Sequence, residues 1–244
     1  MVWQLNQRAY DAVSKHYHVA YFDIPPLAEA FEGWLVRLPA GGHILDAGCG
    51  HGDPVIRRLL ERGFRVTGSD LSLEMLQRAR QQFPQADFLQ KTTTTLNEQA
   101  VYDGVCSFNS LLYLDKIDFL NSILQIYKAL KPGGLLFLYG RDIGPRWRGD
   151  PVNCSLTQWM WSWFYGVEDA ADLLEEHGYF KVLETRKVEI VSEEQDRIRR
   201  ELVKQAEEFR KNQEDDPSSL EPTFRVTPTH DSYTYVVIAQ RLEK

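Results

Sequence analysis

Apolar residues recur along this chain in two alternating rhythms. Segments 43–46, 64–68, 86–89 and 104–108 are short apolar runs that predict strands. Residues 135–139, Leu-Leu-Phe-Leu-Tyr, are apolar throughout, the pattern of a strand buried on both faces. Between the runs the spacing turns helical. Val55, Ile56, Leu59 and Leu60 share one face, and Met75, Leu76 and Ala79 share another behind Ser72, a helix-capping residue. Leu120, Ile123, Leu124, Tyr127 and Leu130 give a third helix over 119–130, which Lys131-Pro132-Gly133-Gly134 stops before the next strand. Strand and helix thus alternate from about 43 to 140, which predicts repeated βα units and a parallel sheet of the α/β class.

The flanks read differently. Residues 6–38 are helical in pattern and interrupted at Pro25-Pro26. Residues 141–165 are irregular and rich in aromatic side chains. A helix at 167–177 ends at Gly178, and strands near 182–191 and 233–241 follow. Ser192-Glu193-Glu194-Gln195 has the form of a capping box and opens a charged helix reaching Lys211. The stretch 212–222 is polar and reads as a loop. One domain over residues 1–244 is expected: an N-terminal helical cap (1–38), a core (43–140), an aromatic segment (141–165) and a C-terminal part (166–244) with an insertion at 192–222.

The densest chemistry lies in Ile44-Leu45-Asp46-Ala47-Gly48-Cys49-Gly50-His51-Gly52-Asp53-Pro54. An apolar strand ends in an acid, passes alternating glycines and enters a helix, with Asp53 at the expected N-cap and Pro54 at the first helical position. Glycines at every second position let the backbone approach a ligand closely. The spacing is GxGxG rather than the GxGxxG that seats a pyrophosphate on a helix N-terminus. A small ligand without a pyrophosphate is expected, with a positive amine near Asp46. Asp70 ends the second strand, and an acid there can accept hydrogen bonds from both hydroxyls of a ribose.

Composition narrows the classes. A formal net charge of −7 argues against a general binder of nucleic acid or anionic membranes. No apolar run is long enough to span a bilayer, and the N-terminus lacks the pattern of a signal peptide. The three cysteines, Cys49, Cys106 and Cys154, are scattered and read as reduced structural thiols, which suits a cytoplasmic setting. No Cys/His spacing suggests a metal site.

An amine, a ribose and close backbone contact together describe S-adenosylmethionine. Residues 44–52, Asp70-Leu71-Ser72 and Leu130-Lys131-Pro132-Gly133-Gly134-Leu135 closely resemble the class I S-adenosylmethionine-dependent methyltransferases. Arg8-Ala9-Tyr10-Asp11, Tyr17 and the 165–179 stretch look like the branch that methylates small molecules. The resemblance implies a Rossmann-like, mostly parallel seven-stranded sheet with its last strand antiparallel and helices on both faces, with helical and aromatic additions covering the cleft. It implies that Asp46, Gly48 and Gly50 hold the methionyl part, Asp70 the ribose and Leu71 the adenine, with Phe108 and Asn109 lining the site. Where the family places an acid for the adenine amine, this chain has Thr92, whose hydroxyl accepts a hydrogen bond without charge assistance.

The implied reaction is methyl transfer to a small metabolite. The stretch Phe108-Asn109-Ser110-Leu111 lacks the (N/D)PP(Y/W) motif of enzymes that methylate amino groups of nucleic acid bases. Candidates for handling the acceptor's proton are Tyr17 and Tyr113, with His16, His18 and Arg141-Asp142 nearby in pattern. Trp159, Trp161 and Trp163, with Arg141, are candidate substrate contacts: the alternating aromatics read either as a lid over the substrate or as packing onto the sheet. Two other readings use the same cofactor loop. One is a cofactor-binding regulatory or scaffold protein without turnover, and the other is aminopropyl transfer from the decarboxylated cofactor.

Overall fold

A computed structural model describes residues 2–14, 21–141, 148–153, 159–164, 166–189 and 233–243. Two N-terminal helices, α1 (Val2–Val13) and α2 (Pro25–Leu35), precede the first strand. Then come β1 (His43–Ala47), α3 (Val55–Glu61), β2 (Arg65–Asp70), α4 (Leu73–Gln82), β3 (Asp87–Gln90), β4 (Tyr102–Phe108), α5 (Lys116–Ala129) and β5 (Leu130–Arg141). The chain continues through β6 (Arg148–Asn153), β7 (Trp159–Phe164), α6 (Val167–Glu176), β8 (Phe180–Glu189) and β9 (Tyr233–Arg241).

Seven strands form one sheet in the order β3-β2-β1-β4-β5-β9-β8. The pairings β1–β2, β1–β4, β2–β3 and β4–β5 are parallel. The last strand, β9, runs antiparallel to both β5 and β8, as expected. Its partners place Tyr139 beside Val236 and Val182 beside Ala239, so the C-terminal strands complete the same sheet as the core.

Apolar residues cover both faces, which is why the central strands carry few polar positions. On one face Phe31 and Trp34 of α2 and Ile56 and Leu59 of α3 pack against Ile44, Phe108 and Phe137. On the other, Phe119, Ile123 and Ile126 of α5 and Leu173 and Leu174 of α6 pack against Leu45, Val105, Leu136 and Val237. Caps fix where the helices begin: Ser72 Oγ accepts from Met75 N (3.1 Å) and Asp115 Oδ1 from Asp118 N (2.9 Å).

Three expectations need correction. Pro25 and Pro26 open α2 rather than interrupt a helix, because a proline at the first helical positions forfeits no hydrogen bond. Asp53 does not cap α3: the helix begins at Val55 with Pro54 at the N-cap, and the Asp53 carboxylate is taken by Arg57 at 2.8 and 3.1 Å. The stretch after β5 is not wholly irregular, since β6 and β7 pair as an antiparallel two-stranded sheet. Trp159, Trp161 and Trp163 take alternate register positions of β7, opposite Asn153, Pro151 and Gly149. Their alternation was a strand signal. β7 lies against α1 and against the turn Leu111–Tyr113. The expected charged helix and loop across 192–222 lie outside the described residues, as do Tyr17, His16, His18 and Asp142.

Candidate functional site

The carboxyl ends of β1, β2 and β4 meet where the sheet changes direction of winding, between β1 and β4. Such a crevice is where ligands bind in open α/β sheets. A cavity opens there. Its wall brings together Asp46, Gly48 and Gly50 from β1 and its loop, Asp70 and Leu71 after β2, Thr92 after β3, and Phe108, Asn109 and Tyr113 after β4. These sequence-predicted residues converge although they are spread over nearly 70 positions. Arg141 ends β5 and the three tryptophans lie in β7, but their side chains are outside the described set.

The three loop glycines are there for different reasons. Gly48 has φ +82°, and a Cβ would lie 2.0 Å from Ser110 Oγ, so neighbouring protein excludes a side chain. A Cβ at Gly52 would meet the Phe83 ring at 2.9 Å. Gly50, at φ +55°, has nothing within 4 Å of where a Cβ would project. Only there is the loop bare toward open space.

The loop's amides are turned inward. Gly48 N and Cys49 N donate to Ser69 O at 2.7 and 2.9 Å, Gly52 N to Cys49 O at 2.9 Å and Gly50 N to Asp70 Oδ2 at 2.8 Å. A loop with these donors committed is a poor nest for a phosphate, which agrees with the expectation of a ligand without a pyrophosphate. What it presents instead is negative charge. Asp46 is 1 % exposed, and no salt bridge to it occurs among the described residues. Burial first, and the Asp70 charge second, push its carboxyl up to about 8, against a small opposing effect of the Cys106 thiol, which donates to Oδ1 at 3.8 Å.

Asp70 is raised by burial as well, and opposed by the backbone N–H groups that donate to it, Ser72 N to Oδ1 (2.9 Å) and Gly50 N to Oδ2 (2.8 Å). These bonds fix the carboxylate plane and leave each oxygen a further acceptor position. Burial also pushes both the Cys49 and Cys106 thiols up, so they act as inert structural groups. Thr92 departs from expectation in one respect. Its Oγ1 accepts from Thr94 N at 3.0 Å and caps the turn Thr93–Thr95, so its hydroxyl is already engaged locally.

The N-terminal helix was expected to cover the cleft, but its individual contacts were not read from the sequence. Asn6, Gln7 and Tyr10 line the cavity. Gln7 Nε2 donates to Leu71 O (3.1 Å), Ser72 Oγ to Asp11 Oδ1 (2.5 Å), and the Tyr10 and Tyr113 hydroxyls share a hydrogen bond of 2.5 Å. The signal was the polar i,i+4 pairs Asn6/Tyr10 and Gln7/Asp11 on an otherwise amphipathic helix.

The methyltransferase-domain family matches residues 44–134, from β1 into β5, the stretch that builds most of this cavity. Residues 44–134 thus carry a methyltransferase domain similar to those of the class I S-adenosylmethionine-dependent methyltransferases. A candidate methyltransferase of Bacillus subtilis is 34% identical to this chain over 143 residues, covering 56% of this chain and 54% of its own. An S-adenosyl-L-methionine-dependent Diels–Alderase of Talaromyces variabilis is 31% identical over 142 residues, 54% of this chain and 47% of its own. The chain spans about half the length of these curated relatives. A solved 1,6-didemethyltoxoflavin-N1-methyltransferase of Burkholderia thailandensis, with S-adenosylhomocysteine bound, shares the fold at TM-score 0.65 and 16% identity, covering 98% of this chain and 88% of that one.

S-adenosylmethionine is the cofactor of the family, and the cavity fits it. A buried carboxyl without an ion-pair partner calls for a ligand cation, and the cofactor's methionyl end carries an ammonium. Gly50 leaves room for close approach. Asn109 Oδ1 is buried with no hydrogen-bond partner among the described residues, an acceptor ready for a ligand donor.

Proposed function

We propose that this chain is a methyltransferase that binds S-adenosylmethionine in the cavity at the ends of β1, β2 and β4 and methylates a small molecule. The observation that carries the proposal is Asp46: a carboxyl buried at the tip of β1, beside Asp70, in a cavity whose loop amides are already spent. Such a site is wasteful for an empty fold and suited to a bound cation.

When bound, S-adenosylmethionine supplies a methyl group on a sulfonium, from which the sulfur departs neutral. The chain's residues then have three tasks. Asp46 pairs with the ammonium in its ionised form, giving up its proton to solvent as the ligand arrives. Asp70, held flat by the Gly50 and Ser72 N–H groups, accepts from the ribose hydroxyls. The wall formed by α1 and the Leu111–Tyr113 turn holds the acceptor in line and excludes water, and such positioning is worth roughly 7–11 kcal/mol of barrier. A cavity walled by α1 and the Leu111–Tyr113 turn suits a small acceptor, and the similar Burkholderia thailandensis enzyme holds 1,6-didemethyltoxoflavin beside S-adenosylhomocysteine.

The test is turnover: the chain incubated with S-adenosylmethionine and a panel of metabolites releases S-adenosylhomocysteine with at least one of them. Cofactor binding without release across the panel would favour a second reading. In that reading the cofactor is held but not consumed, which the Diels–Alderase similarity supports. A scaffold role would give the same silence.

Two outcomes are expected of the cofactor site itself. Asp70→Ala weakens S-adenosylhomocysteine binding by about 1–3 kcal/mol through lost hydrogen bonds to a charged acceptor, read by titration calorimetry; unchanged affinity contradicts the ribose assignment. Cofactor affinity also depends on pH. Asp46 is mostly protonated in the free protein below about 8, whereas the ligand binds its ionised form. Affinity therefore rises by up to about tenfold per pH unit toward 8 and flattens there, until the ligand's own ammonium titrates.

A further inference from the structure

The proposed cofactor site has a direction. In sheet order the ammonium partner Asp46 stands on β1, the ribose partner Asp70 ends β2, and the segment Lys91–Thr93 follows β3. A ligand laid from β1 to β3 brings its base to the β3 end of the cavity. Leu71 offers that end an apolar surface for a ring. An adenine also carries a 6-amino group, which needs an acceptor once it leaves water.

Several acceptors at that end are already occupied. Thr92 Oγ1 accepts from Thr94 N at 3.0 Å and also bonds to the Thr94 hydroxyl, and the buried Thr93 hydroxyl pairs with Ser122 Oγ at 2.7 Å. Thr92 O takes two donors, Thr95 N and Thr95 Oγ1, at 3.1 and 3.2 Å. Leu71 O takes two as well, Gln7 Nε2 at 3.1 Å and Gln90 Nε2 at 3.2 Å, which fills both of its lone pairs. The cation there is held by the protein: Lys91 Nζ reaches Glu98 Oε1 at 2.7 Å and Asn97 Oδ1 at 2.5 Å.

Gln7 is different. A carbonyl oxygen only accepts, so the bond to Leu71 O fixes which end of the Gln7 carboxamide is the nitrogen and turns Oε1 the other way. No hydrogen bond to that Oε1 occurs among the described residues. Gln7 is half-buried and lines the cavity, whereas Gln90, with the same bond, is exposed and outside its wall. Helical spacing separates Gln7 from the tyrosine side of α1. Gln7 and Asp11, one turn apart, meet Leu71 and Ser72, while Tyr10 meets Tyr113 after β4. The carboxamide cannot turn its donor outward without losing Leu71 O and setting two oxygens against each other.

We infer that Gln7 of α1 reads the base of the cofactor: its Oε1 accepts from the 6-amino group of adenine and rejects a 6-oxo purine, whose oxygen would face it. This rests on the cavity being an S-adenosylmethionine site, and one set of titrations separates the two claims. S-adenosylhomocysteine and S-inosylhomocysteine, which carries a 6-oxo purine in place of adenine, are titrated by calorimetry into the parent, Gln7→Met and Gln90→Met. Methionine keeps the length of the side chain without the carboxamide.

The parent is expected to prefer S-adenosylhomocysteine by roughly tenfold or more. Gln7→Met should narrow that preference to within about threefold, chiefly by losing affinity for the adenine ligand. Gln90→Met gives up its own bond to Leu71 O and should keep the parent's ratio, which separates reading the base from bracing Leu71. The ratio is taken within each variant, so a general loss of stability does not imitate the effect. No binding of either ligand by the parent removes the cofactor reading and this inference with it. Binding of both by the parent with equal affinity overturns the inference alone. So does a Gln7→Met that keeps the parent's ratio or binds neither ligand, or a Gln90→Met that narrows the ratio as far.

Discussion

Asp46→Asn is expected to raise the stability of the ligand-free protein and to destroy its affinity for the cofactor. Both effects come from one carboxyl. In the folded chain burial and the Asp70 charge push it up to about 8, far above its range in an unfolded chain. A group raised on folding contributes no penalty while it is protonated in both states, below about 4. As pH rises from there to about 8 the unfolded chain gains from ionising it and the folded chain does not, so stability is lost across that window. Each unit of the difference is worth about 1.4 kcal/mol. Asparagine keeps the shape and the acceptor for the Cys106 thiol while removing the titration. Its thermal midpoint should match the parent at pH 4 and exceed it by roughly 10–20 °C at pH 8. At that same pH, S-adenosylhomocysteine affinity should fall on the order of a hundredfold, because a buried ammonium is left without its counter-charge. A variant less stable than the parent at pH 8 would show Asp46 to be structural.

The second large effect separates two glycines that look alike in sequence. Gly50→Val adds a side chain where the free protein has open space, so the fold survives with the strain of one left-handed residue, about 1–2 kcal/mol. The new methyls enter the cavity and cofactor binding is lost. Gly48→Ala, a smaller change, damages the fold instead, because its Cβ would overlap Ser110 Oγ at 2.0 Å. Ser110→Gly in the same chain should recover most of that loss. Melting curves beside calorimetric titrations check all of these variants. If Gly50→Val bound S-adenosylhomocysteine normally, the loop would be a structural turn.

This contrast marks how far the sequence could be read. The βα rhythm of 43–140 was legible because strands buried on both faces leave continuous apolar runs, and the helices between them leave a clear stripe. Asp46 and Asp70 were legible because each ends a strand whose neighbours point to one crevice. The glycine loop was legible as a backbone that could approach a ligand closely, but the direction of its amides was not. They face Ser69, Cys49 and Asp70, which only the folded backbone reveals. The β6–β7 pair escaped because Arg148-Gly-Asp-Pro-Val-Asn153 has none of the β-branched alternation that marks a strand, and β7 alone could not name its partner. Asp53 was assigned to a helix cap by local pattern, and a competing carboxylate partner, Arg57 one turn on, decided otherwise.

The α1 contacts were invisible for a different reason. Tyr10 and Tyr113 are 103 residues apart, and Asp11 and Ser72 are 61 apart. The polar i,i+4 pairs of α1 mark the helix face, but no local period names the distant partners. They matter because they turn an N-terminal amphipathic helix into one wall of the cavity, and they join the wall to the segment that carries Asp70.

Titration calorimetry of the unmodified chain with S-adenosylhomocysteine at pH 7, in two buffers of different ionisation enthalpy, tests the central claim most directly. The account predicts one site of micromolar affinity and release of close to one proton per ligand bound, the proton of Asp46. No binding up to about a millimolar ligand, where even a weak site of a few kcal/mol would show, contradicts it. Binding with no proton released would contradict the role given to Asp46.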